Sequence, residues 1–93
     1  MRLQDKTVIL IGAGQGPGEG MGNGRATAIR FAQEGARVLC VDRDLASAEE
    51  TAGMVRAAGG EAAAFEADVT REATLAAAVA EASRRWGRLD VLH

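Results

Sequence analysis

A short β-branched apolar run, Thr7-Val8-Ile9-Leu10-Ile11, stops at Gly12 and opens into the glycine-rich stretch Gly12 to Gly24. Beyond it, from Arg25 to Glu34, the residues Ala28, Ile29 and Ala32 recur at helical spacing, and Gly35 stands where a helix ends. A buried strand that passes through a glycine turn into a helix suits one ligand class in particular. Phosphates need backbone N–H donors with no β-carbon in the way, and glycine supplies that access together with unusual φ angles. The dipole of the following helix favours an anion at its start. The order strand, glycine turn, helix therefore predicts a nucleotide-phosphate site, with Gly12, Gly14, Gly22, Asn23 and Gly24 as candidate contacts. A plain surface connection is the structural alternative, yet the carboxyl end of a first strand is where open parallel sheets bind ligands. A Walker-type loop is disfavoured, because Arg25-Ala26 follows Gly24 in place of Lys then Ser or Thr. Residues Gln15 to Met21 make the loop longer than a minimal dinucleotide turn and bring in Glu19, whose charge opposes a nearby pyrophosphate.

The rest of the chain alternates in the same way. Arg37 to Val41 reads as a second buried strand, and Asp44 caps a helix from Leu45 to Ala58 whose inner stripe is Leu45, Ala48, Ala52 and Val55. Gly59-Gly60 ends that helix, and Glu61 to Glu66 forms a third, alanine-weakened strand. Thr70 caps a further helix with Leu75, Val79, Ala82 and Trp86 on one face; Gly87 closes it, and Leu89-Asp90-Val91-Leu92 begins a fourth strand. The order β-α-β-α-β-α-β, with crossovers long enough for parallel pairing, predicts an α/β chain: the amino-terminal portion of a Rossmann-type doubly wound parallel sheet, strand order 3-2-1-4. An alanine-rich helical bundle fails on Val8 to Ile11 and Val38 to Val41, both short, β-branched and bounded by turn signals.

Two acidic positions follow strands. Asp42 ends the second, from where a carboxylate accepts hydrogen bonds from adenosine ribose hydroxyls and repels a 2′-phosphate, so NAD is favoured over NADP. Arg43 beside it works the other way, since arginine accommodates that phosphate; a solvated charge at the start of the helix is its structural alternative. Asp68-Val69 follows the third strand, where the carboxylate would meet the adenine amino group and the valine would pack on the ring, or Asp68 would simply flank the next helix.

Composition narrows the remaining classes. With 93 residues the chain is one small domain at most, and its net charge of −2 favours neither a nucleic-acid backbone nor an anionic membrane as partner. Its apolar runs fall far short of the ~20 residues of a membrane span and the amino terminus lacks a signal-like segment, so a cytoplasmic location is expected. The single Cys40 lies in an apolar run and reads as a buried structural thiol. His93 has no orienting partner in sequence, and no cluster shows metal-ligand spacing. Hydrophobic residues make up 47% of the chain but aromatics only 3%, and alanine buries little area, so the core is expected to be thin.

Four segments carry a family resemblance. Gly12-Ala13-Gly14 followed by Gly22-Asn23-Gly24-Arg25-Ala26 resembles the T-G-x-x-x-G-x-G turn of the short-chain dehydrogenase/reductase family. Val41-Asp42-Arg43 is similar to the strand-two ending of its NAD-preferring members, and Asp68-Val69-Thr70 to its adenine-contacting D-V segment. Arg88-Leu89-Asp90-Val91-Leu92-His93 resembles the run leading into its N-N-A-G segment. The four occur in the family's order over this whole chain. Ile11 stands where the family has threonine, and Gly12 and Gly22 lie further apart than that turn allows. The resemblance implies a nicotinamide cofactor and hydride exchange with a small-molecule alcohol or carbonyl. The family's serine, tyrosine and lysine have no counterpart here, so no catalytic residue is assigned and these residues are expected to be inactive alone. The helices by which members form homo-oligomers are also expected downstream, and the chain alone is expected to be partly ordered or to associate through its fourth strand. Two alternatives stay open: a non-catalytic nucleotide-binding half-domain, and part of an S-adenosylmethionine-dependent methyltransferase.

Overall fold

The computed structural model describes residues 3–13, 23–67 and 72–92. The elements follow in the order β1 (Thr7–Ile11), α1 (Asn23–Gln33), β2 (Arg37–Asp42), α2 (Leu45–Ala57), β3 (Glu61–Glu66), α3 (Glu72–Trp86) and β4 (Val91–Leu92). They build a four-stranded sheet ordered β3-β2-β1-β4, in which every pair is parallel. β1 and β2 pair from Thr7 with Arg37 to Ile11 with Val41, whereas β4 joins β1 only at Val8–Val91 and Ile9–Leu92.

Strand periodicity divides the core in two. Val8, Leu10, Val38, Cys40 and Ala62 point to one face, where Ala28 of α1 and Ala48, Ala52 and Val55 of α2 cover them. Ile9, Leu39, Val41 and Ala63 point to the other, against Ala78 and Ala82 of α3. Helices on both faces bury the central strands on both sides, which is why β1 and β2 are continuous apolar runs and not alternating ones. Leucine, isoleucine and valine of β1 and β2 are among the largest fully buried side chains, at roughly 1.5–3 kcal/mol for each. The facing helices contribute mainly alanine, so the backbones of the two layers can pack closely.

Several boundaries differ from the sequence reading. α1 begins at Asn23, two residues before the helix expected from Arg25, because the apolar spacing used to place it starts only at Ala28. β4 covers Val91–Leu92 alone, with Leu89 and Asp90 in the approach to it. Leu45, expected on the inner stripe of α2, is 44% exposed; the buried set is Ala48, Thr51, Ala52 and Val55. Asp44 does cap α2, accepting the Ser47 N–H at 3.2 Å. Gly35 ends α1 with φ +94°, and Ala36 N–H closes back on the Phe31 carbonyl at 3.1 Å. The proposed Thr70 cap lies outside the described residues.

A polar latch fixes β4. Thr7 N–H donates to Asp90 Oδ2 at 2.9 Å, Asp90 N–H returns to the Thr7 carbonyl at 3.0 Å, and the Arg88 guanidinium grips both Asp90 oxygens at 2.6 and 2.8 Å. The Arg88 hydrogen bonds, and after them the Thr7 N–H, hold the Asp90 carboxyl below the usual carboxylate range. A depressed folded-state pKa stabilises above the unfolded value of about 4, and that stability is lost as the pH falls through the lower folded value. Asp90→Asn should therefore lower the urea midpoint at pH 7, with the gap to wild type closing as the pH drops below about 4. A gap that stays the same at pH 7 and pH 3 would contradict the latch.

Candidate nucleotide-binding site

β1 and β2 end side by side, and the site is built where they do. Ile11 is in register with Val41, so Gly12 and Asp42 are the next residues on adjacent strands. Gly12 adopts φ +73°, a left-handed conformation that a β-carbon disfavours. It turns the chain so that the Gly12 and Ala13 N–H groups both donate to the Val41 carbonyl, at 2.8 and 3.1 Å. A Cβ built on Gly12 would meet nothing within 4 Å among the described residues.

Gly24 has the opposite surroundings. A Cβ there would lie 1.9 Å from the Gly12 carbonyl oxygen, 2.9 Å from the Gly12 carbonyl carbon and 3.1 Å from Ala13 Cα. The first turn of α1 therefore rests directly on the β1 turn, and only glycine permits it. Close helix–strand packing of this kind is what the third glycine of a dinucleotide-binding turn permits. It also accounts for the long loop: the chain leaves at Ala13 and is back against Gly12 by Gly24, so added residues between them need not separate strand from helix.

The Gly12 and Ala13 N–H groups face into the sheet, on the Val41 carbonyl. What this end of the sheet offers an anion is the start of α1 at Asn23 and Gly24, whose first-turn N–H groups have no intrahelical acceptor. Gly14, Gly22, Asp68 and Val69 lie outside the described residues.

Asp42 is half-buried at the end of β2. Its Oδ1 accepts the Asp44 N–H at 3.0 Å, and its carbonyl accepts the Ala67 N–H at 3.1 Å. The first bond aims the carboxylate by an Asx-type turn at the carboxyl edge of the sheet, beside the Gly12 turn. Arg43 is exposed and makes no hydrogen bond or ion pair among the described residues.

Sequence reasoning missed the support beneath the turn. Thr51, fully buried on α2, donates its hydroxyl to the Ala13 carbonyl at 2.8 Å, and Arg25, 5% exposed, donates Nε to Thr51 Oγ1 at 2.9 Å. The available signal was a lone threonine within the alanine stripe of α2. Other chemistry is disfavoured here. Burial pushes the Cys40 thiol up to about 12, so it carries no thiolate near neutrality, and the described residues hold no group of three metal-ligating side chains. A cleft of about 180 Å³ lies at the opposite end of the sheet, lined by Ile29, Ala32, Val55 and Gly60 among others, away from Gly12 and Asp42.

Comparison with known proteins settles the family. The family model described as short chain dehydrogenase matches residues 6–93. The chain belongs to the short-chain dehydrogenase family. Among its relatives, a sorbitol dehydrogenase of Cereibacter sphaeroides is 39% identical over 99% of this chain and 32% of its own length. The short-chain reductase protein NovJ of Streptomyces niveus is 44% identical over 96% of this chain and 32% of its own. A crystal structure of a putative short-chain dehydrogenase/reductase from Burkholderia xenovorans superposes with a TM-score of 0.89 at 52% identity, covering 98% of this chain and 36% of that one. A hydroxysteroid dehydrogenase from Escherichia coli also reaches 0.89, at 34% identity. This short-chain dehydrogenase chain thus spans about a third of the length of the relatives it matches. No helix among its described residues is long and apolar enough to cross a membrane.

Proposed function

We propose that these residues are the cofactor-binding part of a cytoplasmic short-chain oxidoreductase that uses NAD in preference to NADP. The observation that carries this is the contact of Gly24 with the Gly12 turn, with the Asp42 carboxylate on the adjacent strand end. Gly12, Gly24 and the start of α1 would receive the pyrophosphate, together with Gly14, Gly22 and Asn23 of the resembling motif. Asp42 would accept hydrogen bonds from the ribose hydroxyls, and its charge would oppose a 2′-phosphate. Asp68 and Val69 would take the adenine ring, and Arg43 stands near enough in sequence to touch the ribose side. The residues present fit such a group: a left-handed glycine turn, a helix start and a carboxylate share one sheet edge.

In the complete protein the nicotinamide cofactor supplies or accepts a hydride, and the substrate is a small-molecule alcohol or carbonyl. The described residues contribute binding and orientation to that reaction. Homo-oligomerisation, by analogy with the family, would engage segments beyond these.

Calorimetric titration with NAD, NADP and S-adenosylmethionine tests the proposal. Binding should be tightest for NAD, weaker for NADP and absent for S-adenosylmethionine. Binding of S-adenosylmethionine alone would move the site to a methyltransferase, and equal affinity for NAD and NADP would remove the role given to the Asp42 charge.

A further inference from the structure

Resting on the reading that the Gly12 turn receives the cofactor, we infer that Thr51 and Arg25 are positioning residues for that turn: Thr51 clamps the Ala13 carbonyl, and Arg25 determines where the Thr51 proton points.

Ala13 is held from two sides. Its N–H reaches β2 through the Val41 carbonyl at 3.1 Å, and its carbonyl reaches α2 through Thr51 Oγ1 at 2.8 Å. The two bonds pin the Ala13 backbone between β2 and α2, where the turn packs against Gly24. The Thr51 hydroxyl thereby fixes the position of the glycine turn, from a helix that supplies no motif residue.

A threonine hydroxyl has one proton, and two acceptors compete for this one: the Ala13 carbonyl at 2.8 Å and the Ser47 carbonyl at 3.3 Å. Arg25 decides the competition. Its Nε donates into Thr51 Oγ1 at 2.9 Å, which occupies a lone pair of that oxygen, and its Nη2 reaches the Ser47 carbonyl at 3.5 Å. With Ser47 already served, the proton goes to the shorter contact at Ala13. The guanidinium is buried, and its charge is balanced by Glu50, whose Oε1 lies 3.0 Å from Nη1. An apolar side chain could fill this space without the cost of desolvating a cation. The arginine instead connects the first turn of α1, where Gly24 touches Gly12, to the hydroxyl that holds Ala13.

The test uses the full chain with Thr51→Val, Thr51→Ser and Arg25→Met, titrated with NAD and with adenosine, which lacks the pyrophosphate. Thr51→Val should weaken NAD about tenfold, the scale of one charge-assisted or buried hydrogen bond, and leave adenosine within about twofold. Thr51→Ser should restore NAD binding to near wild type, and Arg25→Met should fall between. Unchanged NAD affinity in Thr51→Val would overturn the inference. So would an equal loss for NAD and adenosine, which would mark Thr51 as a general structural residue. A wild-type chain that does not bind NAD would overturn the function proposed above, and amide exchange then decides the clamp on its own. Faster exchange at Gly12 and Ala13 in Thr51→Val supports it, and unchanged exchange there overturns it.

Discussion

Gly24→Ala should cost at least about 3 kcal/mol of stability, the upper part of the range for overpacking, and weaken NAD binding by more than about tenfold. The added methyl would sit 1.9 Å from the Gly12 carbonyl oxygen, and the next two atoms it meets are also backbone. No rotamer change relieves a backbone clash, so α1 would have to lift off the turn or the turn would have to unwind. Both movements displace the helix start from the strand end. Gly53→Ala is the control: it lies inside α2, its new Cβ meets nothing within 4 Å among the described residues, and removing a helical glycine should stabilise by about 0.5–1 kcal/mol. Urea denaturation and NAD titration of the two variants give the comparison. Similar, small effects in both would mean that the approach of α1 to the turn is not as tight as described.

Asp42→Ala should weaken NAD about ten- to a hundredfold, since hydrogen bonds to a charged acceptor contribute about 1.5–3 kcal/mol. It should weaken NADP less, or improve it, because the same change removes a charge that opposes the 2′-phosphate. The carboxylate also accepts the Asp44 N–H at 3.0 Å, so alanine loosens the start of α2 as well. Asp42→Asn separates the two effects. It retains an acceptor for Asp44 and removes the charge, so it should keep wild-type stability and still shift preference toward NADP. Equal losses for both cofactors in both variants would place Asp42 in local structure only.

Much of this fold was legible because its two strongest strands are buried on both faces. Such strands read as unbroken β-branched runs, and Thr7–Ile11 was bounded correctly from sequence, with Arg37–Asp42 one residue longer than expected. Helix ends were legible where glycine marks them. Leu45 was misplaced because helical spacing alone does not say which side of a stripe faces the sheet: the stripe rotates to bury Thr51 in its place. The start of α1 was misplaced for a different reason, since its second residue, Gly24, is set by a close backbone contact and not by propensity.

The placement of three candidate residues was legible. Gly12, Gly24 and Asp42 come together at one strand edge as their order implied. Which N–H groups face outward was not legible, because that depends on the register of β1 against β2, which turns the Gly12 and Ala13 donors onto Val41. Nor was the Arg25–Thr51 link, made by residues 26 positions apart whose meeting is a property of how α1 and α2 pack.

The most direct measurement is an amide chemical-shift map of the isotopically labelled chain during titration with NAD. The largest changes are expected at Gly12, Ala13, Gly24 and Asp42, with little change at Ala58, Gly59 and Gly60 around the cleft at the opposite end of the sheet. Changes centred on that cleft, with Gly12 and Asp42 unmoved, would contradict the assignment of the site.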